Sequence, residues 1–231
     1  MIEGFSNLMV LWESWPMFLQ GTIMAVKLCV LFLFVGIMVG MPVSVMQVYG
    51  NRAMRTMASI FEQFFRGLPA LVLLFLFYFG LSAYNVPPLI AATLAMGLRS
   101  AAYQSQIFRG AIQSIESGQM VAARAIGMSR FKAIRAIIIP QAIRLAIPPW
   151  SNEYANVMKD TSYVFVVGIV ELMRQGRYVV ARSFGNALLV YIAIAIIYFL
   201  LTYFGTYLLG RLAKHLTIPG HSTGGAAMKR I

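Results

Sequence analysis

Four ionisable residues interrupt otherwise apolar stretches: Arg99 in one, and Glu153, Lys159 and Asp160 in another. Within a membrane span each would cost on the order of 2.5–3.5 kcal/mol, even on the lenient insertion scale, so they predict an interior role. Glu153, Asn156 and Asp160 are three and four residues apart, which puts them on one helical face over two turns. A polar stripe of that kind suits a water-filled cavity able to hold an amino group or a cationic side chain. Lys159 falls roughly 100° around the helix from Asp160 and is expected to snorkel or to pair elsewhere. Arg99, next to Ser100, can clamp a carboxylate bidentately, or it can pair internally with Glu153 or Asp160. The two states can alternate. Pro148 and Pro149 lie just before the acidic face and predict a broken helix whose freed carbonyls line the cavity, with a simple kink as the alternative. Pro69 carries the same expectation.

Other chemistries find little support. Cys29 is the single cysteine, so the chain can form no internal disulfide or cysteine metal cluster. His215 and His221 have no cysteine or carboxylate partners at ligand spacing, and no metal site is expected. No pairing of nucleophile and base stands out, and no GxxxxGK[ST] phosphate loop is present.

The elements that would hold these residues are membrane spans. The 231 residues are 60% hydrophobic and 11% charged, with a mean hydropathy of +0.76, too few charges for a water-soluble surface. Five apolar segments approach the roughly 20 residues a spanning helix needs: 18–48, 70–84, 87–107, 143–170 and 187–209. The second is short and is expected to begin near Met57, with Glu62 and Arg66 at or close to the cytoplasmic interface. The aromatic run at Phe75–Gly80 reads as interfacial belt and packing surface.

Lys and Arg number 19 against 7 Asp and Glu, a net charge of +12. They concentrate in short connections between apolar segments, the positive-inside pattern, and not on a soluble basic face, so nucleic acid is not the expected partner. Arg52 and Arg55 fall in the first connection; Arg109, Arg124, Arg130, Lys132, Arg135 and Arg144 in the third; Arg211 and Lys214 lead into the tail. This predicts an all-α integral membrane protein with its N-terminus outside and its C-terminus in the cytoplasm. Arg174, Arg177 and Arg182 would then lie outside, an exception that an acidic partner could satisfy. The first hydrophobic stretch reads as a retained span and not a signal peptide. Residues 1–217 are expected to form a single transmembrane domain and 218–231 a mobile cytoplasmic tail.

The loop at 109–144 has apolar residues near helical spacing, interrupted at Gly127. It predicts two short helices joined at that glycine, with Ala122, Ala123 and Gly127 small enough for close backbone approach. An amphipathic pair lying on anionic lipid by its basic face is equally compatible. Residue order decides between them. The run GQMVAARAIGMS at 118–129, followed by PQAIRLAIPPWSNEY and KDTSYV, resembles the signature loop of binding-protein-dependent ABC importer permeases of the polar amino acid uptake family. FRGLPALVLLF at 65–75 and AAYQSQIFRGAIQSI at 101–115 extend the resemblance, which covers about half the chain.

The resemblance implies a permease subunit that pairs with itself or a close homologue in a prokaryotic plasma (inner) membrane. It further implies a cytoplasmic ATPase dimer carrying ATP and Mg, an external substrate-binding protein, and a polar amino acid as cargo. No cofactor is expected in this chain. Gly118, Gln119, Ala122, Ala123, Arg124, Gly127 and Arg130 would dock on the ATPase. Val121 and Gln106 stand where the family usually carries glutamate, so a salt bridge from residue 121 is not available; Arg124 or Arg130 could supply a contact instead. The rival functions are an autonomous channel, an ion-coupled carrier or a structural membrane anchor. A carrier tends to show inverted repeats, and none is evident here.

Overall fold

The computed structural model describes residues 9–182 and 187–216; the tail expected at 218–231, with His221, lies outside them. The described residues form helices and no strands. In chain order they are α1 (Trp15–Tyr49), α2 (Arg52–Gly67), α3 (Ala70–Ser82), α4 (Pro88–Gln113), α5 (Ser117–Ala125) and α6 (Arg130–Ala133). A π turn (Ile134–Ile138) joins α6 to α7 (Ile139–Asp160), followed by a 3-10 segment (Thr161–Val167), α8 (Leu172–Arg182) and α9 (Ala187–His215).

Among these, α1 and α9 are single helices long and apolar enough to cross a membrane, and α2 with α3 passes that test as a pair bent by 105°. At 1.5 Å per residue α4 and α7 reach about 39 and 33 Å, also enough to cross a hydrocarbon core, but they carry the polar residues inward. The second segment, expected to begin near Met57, is broken at its proline as anticipated there: the chain turns at Leu68 and Pro69. Pro69 has no N–H to continue the ladder, and Leu68 before it is held extended at ψ 140°. The proline pair behaves in the opposite way to its expectation, because α7 runs unbroken through Pro148 and Pro149. α7 packs against both α4 and α9, which hold its course.

α4 is the central element, packed against α1, α7, α3 and α2. Glycines let α1 and α4 approach closely: a Cβ on Gly36 would lie 2.0 Å from the Gln104 amide, and one on Gly97 would lie 2.7 Å from Val35. The main core joins Phe32 of α1, Leu73 and Leu74 of α3, Ala95 of α4, Val157 of α7 and Val164 of the 3-10 segment. α9 keeps Val190 and Ile194 inward and exposes Leu188, Ile196, Phe199 and Tyr203 at 76, 52, 66 and 63%. Such a face is stable against lipid and an aggregation hazard in water.

Gly168, at φ 92°, ends the 3-10 segment and turns the chain into α8. The Glu171 carboxylate then accepts from the N–H groups of Met173 and Arg174 and from the Tyr198 hydroxyl, tying α8 to α9. Burial pushes its carboxyl above the usual range, opposed by those donors.

Candidate functional site

Where α4 passes α7, the polar residues singled out above meet. Asp160 closes α7 and accepts from Arg99 Nη1 at 2.6 Å. The Ser100 hydroxyl donates to Glu153 Oε1 at 2.7 Å, and Glu153 is buried. Both alternatives of the acidic stripe are therefore paired across the helix interface, by neighbouring residues of α4. Arg99, Glu153 and Asp160 line a cavity of about 370 Å³ together with Tyr103, Asn156, Lys159 and Tyr163; Ser100 lies buried behind Glu153 and not in the lining.

Lys159 was expected to snorkel or pair elsewhere, yet it lines the same cavity, one turn beyond Asn156 on α7. Besides Tyr163 of the lining, three residues unforeseen from sequence contribute to the site. Gln104 donates to Ser100 Oγ at 3.0 Å and accepts from Trp150 Nε1 at 2.8 Å, bracing the Glu153 partner. Tyr103 lies within 5.0 Å of the Arg99 guanidinium carbon, measured to the ring centroid. Gln104 and Tyr103 follow Ser100 and Arg99 by four residues, so helical spacing could have found them. Trp150 gave no such signal.

A second polar cluster lies further along α4. Glu62 of α2, buried despite its charge, accepts from Gln47 of α1 at 2.6 Å and from Gln106 of α4. It also pairs with Arg66 at 3.1 Å and Arg109 at 3.4 Å. Glu62 and Arg66 thus lie on α2, the amphipathic first half of the bent pair.

The loop is shorter than 109–144. Arg109 belongs to α4 and Arg144 to α7, leaving α5, a turn at Gly127 and α6 as the projecting part. Gly127 has φ 83°, and N–H bonds from Gly127 to the Arg124 carbonyl and from Met128 to the Ala123 carbonyl close a Schellman turn. Ser129 then caps α6 at the Lys132 N–H, 3.2 Å away. Gly118, Gln119 and Ala122 are exposed, as are Val121, Ile126 and Phe131 at 67, 78 and 73%. Ala123 is turned inward, 2% exposed, and belongs to the support of the knob and not to its surface. Arg124 bonds the Met128 carbonyl at 3.0 Å, and Arg130 lies over Tyr49.

A helical bundle with an apolar outer face around a charged cavity has the build of a membrane permease. The family model described as the binding-protein-dependent transport system inner membrane component matches residues 32–218, and the chain belongs to that family. It is 34% identical over 212 residues to the glutamine transport system permease protein GlnP of Escherichia coli K12, covering 90% of this chain and 96% of the relative. It is 34% identical over 203 residues to the nopaline transport system permease protein NocM of Agrobacterium fabrum, covering 83% and 84%. A solved amino acid ABC transporter with histidines superposes with a TM-score of 0.79 at 33% identity, over 89% of this chain and 96% of that one. The MetNI methionine ABC transporter has the same fold, with a TM-score of 0.73 at 19% identity over 87% and 97%.

Proposed function

We propose that this chain is the permease subunit of an ATP-driven importer that moves a polar amino acid into the cell across a prokaryotic plasma membrane. One observation carries the reading: in a member of this permease family, a guanidinium and two carboxylates converge from two helices on one small cavity. Those are the complements of an α-carboxylate and an α-amino group. The substrate contacts are Arg99, Ser100, Glu153, Asn156 and Asp160, with Lys159 at the same cavity. An amino acid entering between Arg99 and Asp160 would exchange one ion pair for two of its own, so little net charge desolvation is added.

Five spans place the N-terminus outside and the C-terminus in the cytoplasm: α1, the bent α2–α3 pair, α4, α7 and α9. The knob at α5, Gly127 and α6 docks on a separate ATPase, where ATP and Mg are bound. Its exposed Val121, Ile126 and Phe131 favour an apolar seat, in keeping with the missing glutamate at 121. A second permease subunit completes the pathway and an external binding protein delivers the cargo. ATP binding closes the ATPases and turns the cavity outward; hydrolysis resets it.

Uptake into proteoliposomes containing the whole complex tests this. Asp160→Asn and Glu153→Gln are each expected to lower ATP-driven amino acid uptake about 10- to 100-fold, as loss of a charge-assisted contact worth about 1.5–3 kcal/mol requires, while the ATPase still co-purifies. Unchanged kinetics in both variants would remove these acids from the site.

A further inference from the structure

The two polar clusters share one side chain. The Tyr103 ring centroid lies 5.0 Å from the guanidinium carbon of Arg99 and also 5.0 Å from that of Arg66. Tyr103 lines the cavity and Arg66 does not. The two arginines are bound alike: each gives Nη1 to a carboxylate, Arg99 to Asp160 and Arg66 to Glu62. Each also leaves its Nε buried with no hydrogen-bond partner. The edge formed by Nε and Nη2 is one that a carboxylate takes bidentately. A buried donor without an acceptor is costly, and one on each of two neighbouring arginines calls for a shared explanation.

From this geometry we infer that Arg66 supplies a second carboxylate-binding position, reached from the Arg99 cavity past the Tyr103 ring. Tyr103 sits one turn beyond Arg99 on α4, about 6 Å along the axis toward Gln106 and Arg109. The second position is therefore displaced toward the end of α4 that leads into the knob. A substrate carboxylate leaving Arg99 meets a second fork already held in place by Glu62, which Gln47, Gln106 and Arg109 hold in turn. The ring face stabilises both cations. The inference rests on the proposed amino acid import and adds a second station to its path.

The test uses permease, ATPase and binding protein together in proteoliposomes, with each of the 20 tritiated L-amino acids supplied in turn. If the intact protein accumulates none with ATP, the import reading fails, and this inference with it. For an amino acid that is accumulated, Arg66→Lys keeps the charge but loses the fork and is expected to cut the uptake rate tenfold or more. Tyr103→Leu should do the same, and Tyr103→Phe, which retains the ring, should lose less than Tyr103→Leu. Glu62→Gln removes the anchor but not the fork, and a loss of less than about threefold is expected. Full-rate uptake by Arg66→Lys overturns the second position alone, and so does a Glu62→Gln loss equal to that of Arg66→Lys, which would make Arg66 a structural partner of Glu62 only.

Discussion

Gln106 shows how one side chain decides whether a buried charge is tolerable. Its amide donates to Glu62, and Gln47, Arg66 and Arg109 complete the shell around that carboxylate. A glutamate at 106, the residue the family usually carries there, would set a second carboxylate against Glu62 in a largely desolvated place. Gln106→Glu is therefore expected to destabilise this chain by roughly 1–3 kcal/mol, read as a lower melting temperature of the purified complex. An unchanged melting temperature would mean that Arg66 and Arg109 neutralise both acids. The cavity residues were more legible than this cluster. An ionisable residue in an apolar run announces itself, and helical spacing groups Glu153, Asn156 and Asp160; the partner of each was open until α4 and α7 were brought together.

The helices account for what the residues can do. α5 and α6 form a knob because Gly127 adopts a left-handed conformation, which costs an L side chain about 1–2 kcal/mol. No atom lies within 4 Å of a Cβ built there, so a side chain at 127 meets only strain within the chain and any bulk projects outward. Gly127→Trp should abolish co-purification of the ATPase, while Gly127→Ala, with the same strain and little bulk, should retain most of it. Equal retention by both variants would exclude this turn from the docking surface. The helix boundaries from sequence were close for α1 and for the starts of α4 and α9, which run on to Gln113 and His215 because helices continue past the apolar stretch. The same proline expectation held at Pro69, which breaks a helix at an exposed bend, and failed at Pro148 and Pro149, which sit inside one that its neighbours hold.

For the whole molecule, the five-span arrangement with the N-terminus outside makes a labelling prediction. With the buried Cys29 replaced by serine, Ser82→Cys should react with a membrane-impermeant maleimide in intact cells, and Ser114→Cys only after permeabilisation; both positions are exposed. The reverse pattern would invert the topology. Composition and charge distribution alone determined that this is a helical membrane protein, because too few polar groups exist to cover a soluble surface. Residue order determined the permease family, and spacing the acidic stripe. Only the tertiary structure decided that Arg99 pairs with Asp160, that Ser100 meets Glu153, that Lys159 shares a cavity with Arg99, and that Tyr103 also lies beside Arg66. These contacts join residues of different helices, far apart in the chain, and helical periodicity fixes which face a residue occupies but not which face of another helix will meet it.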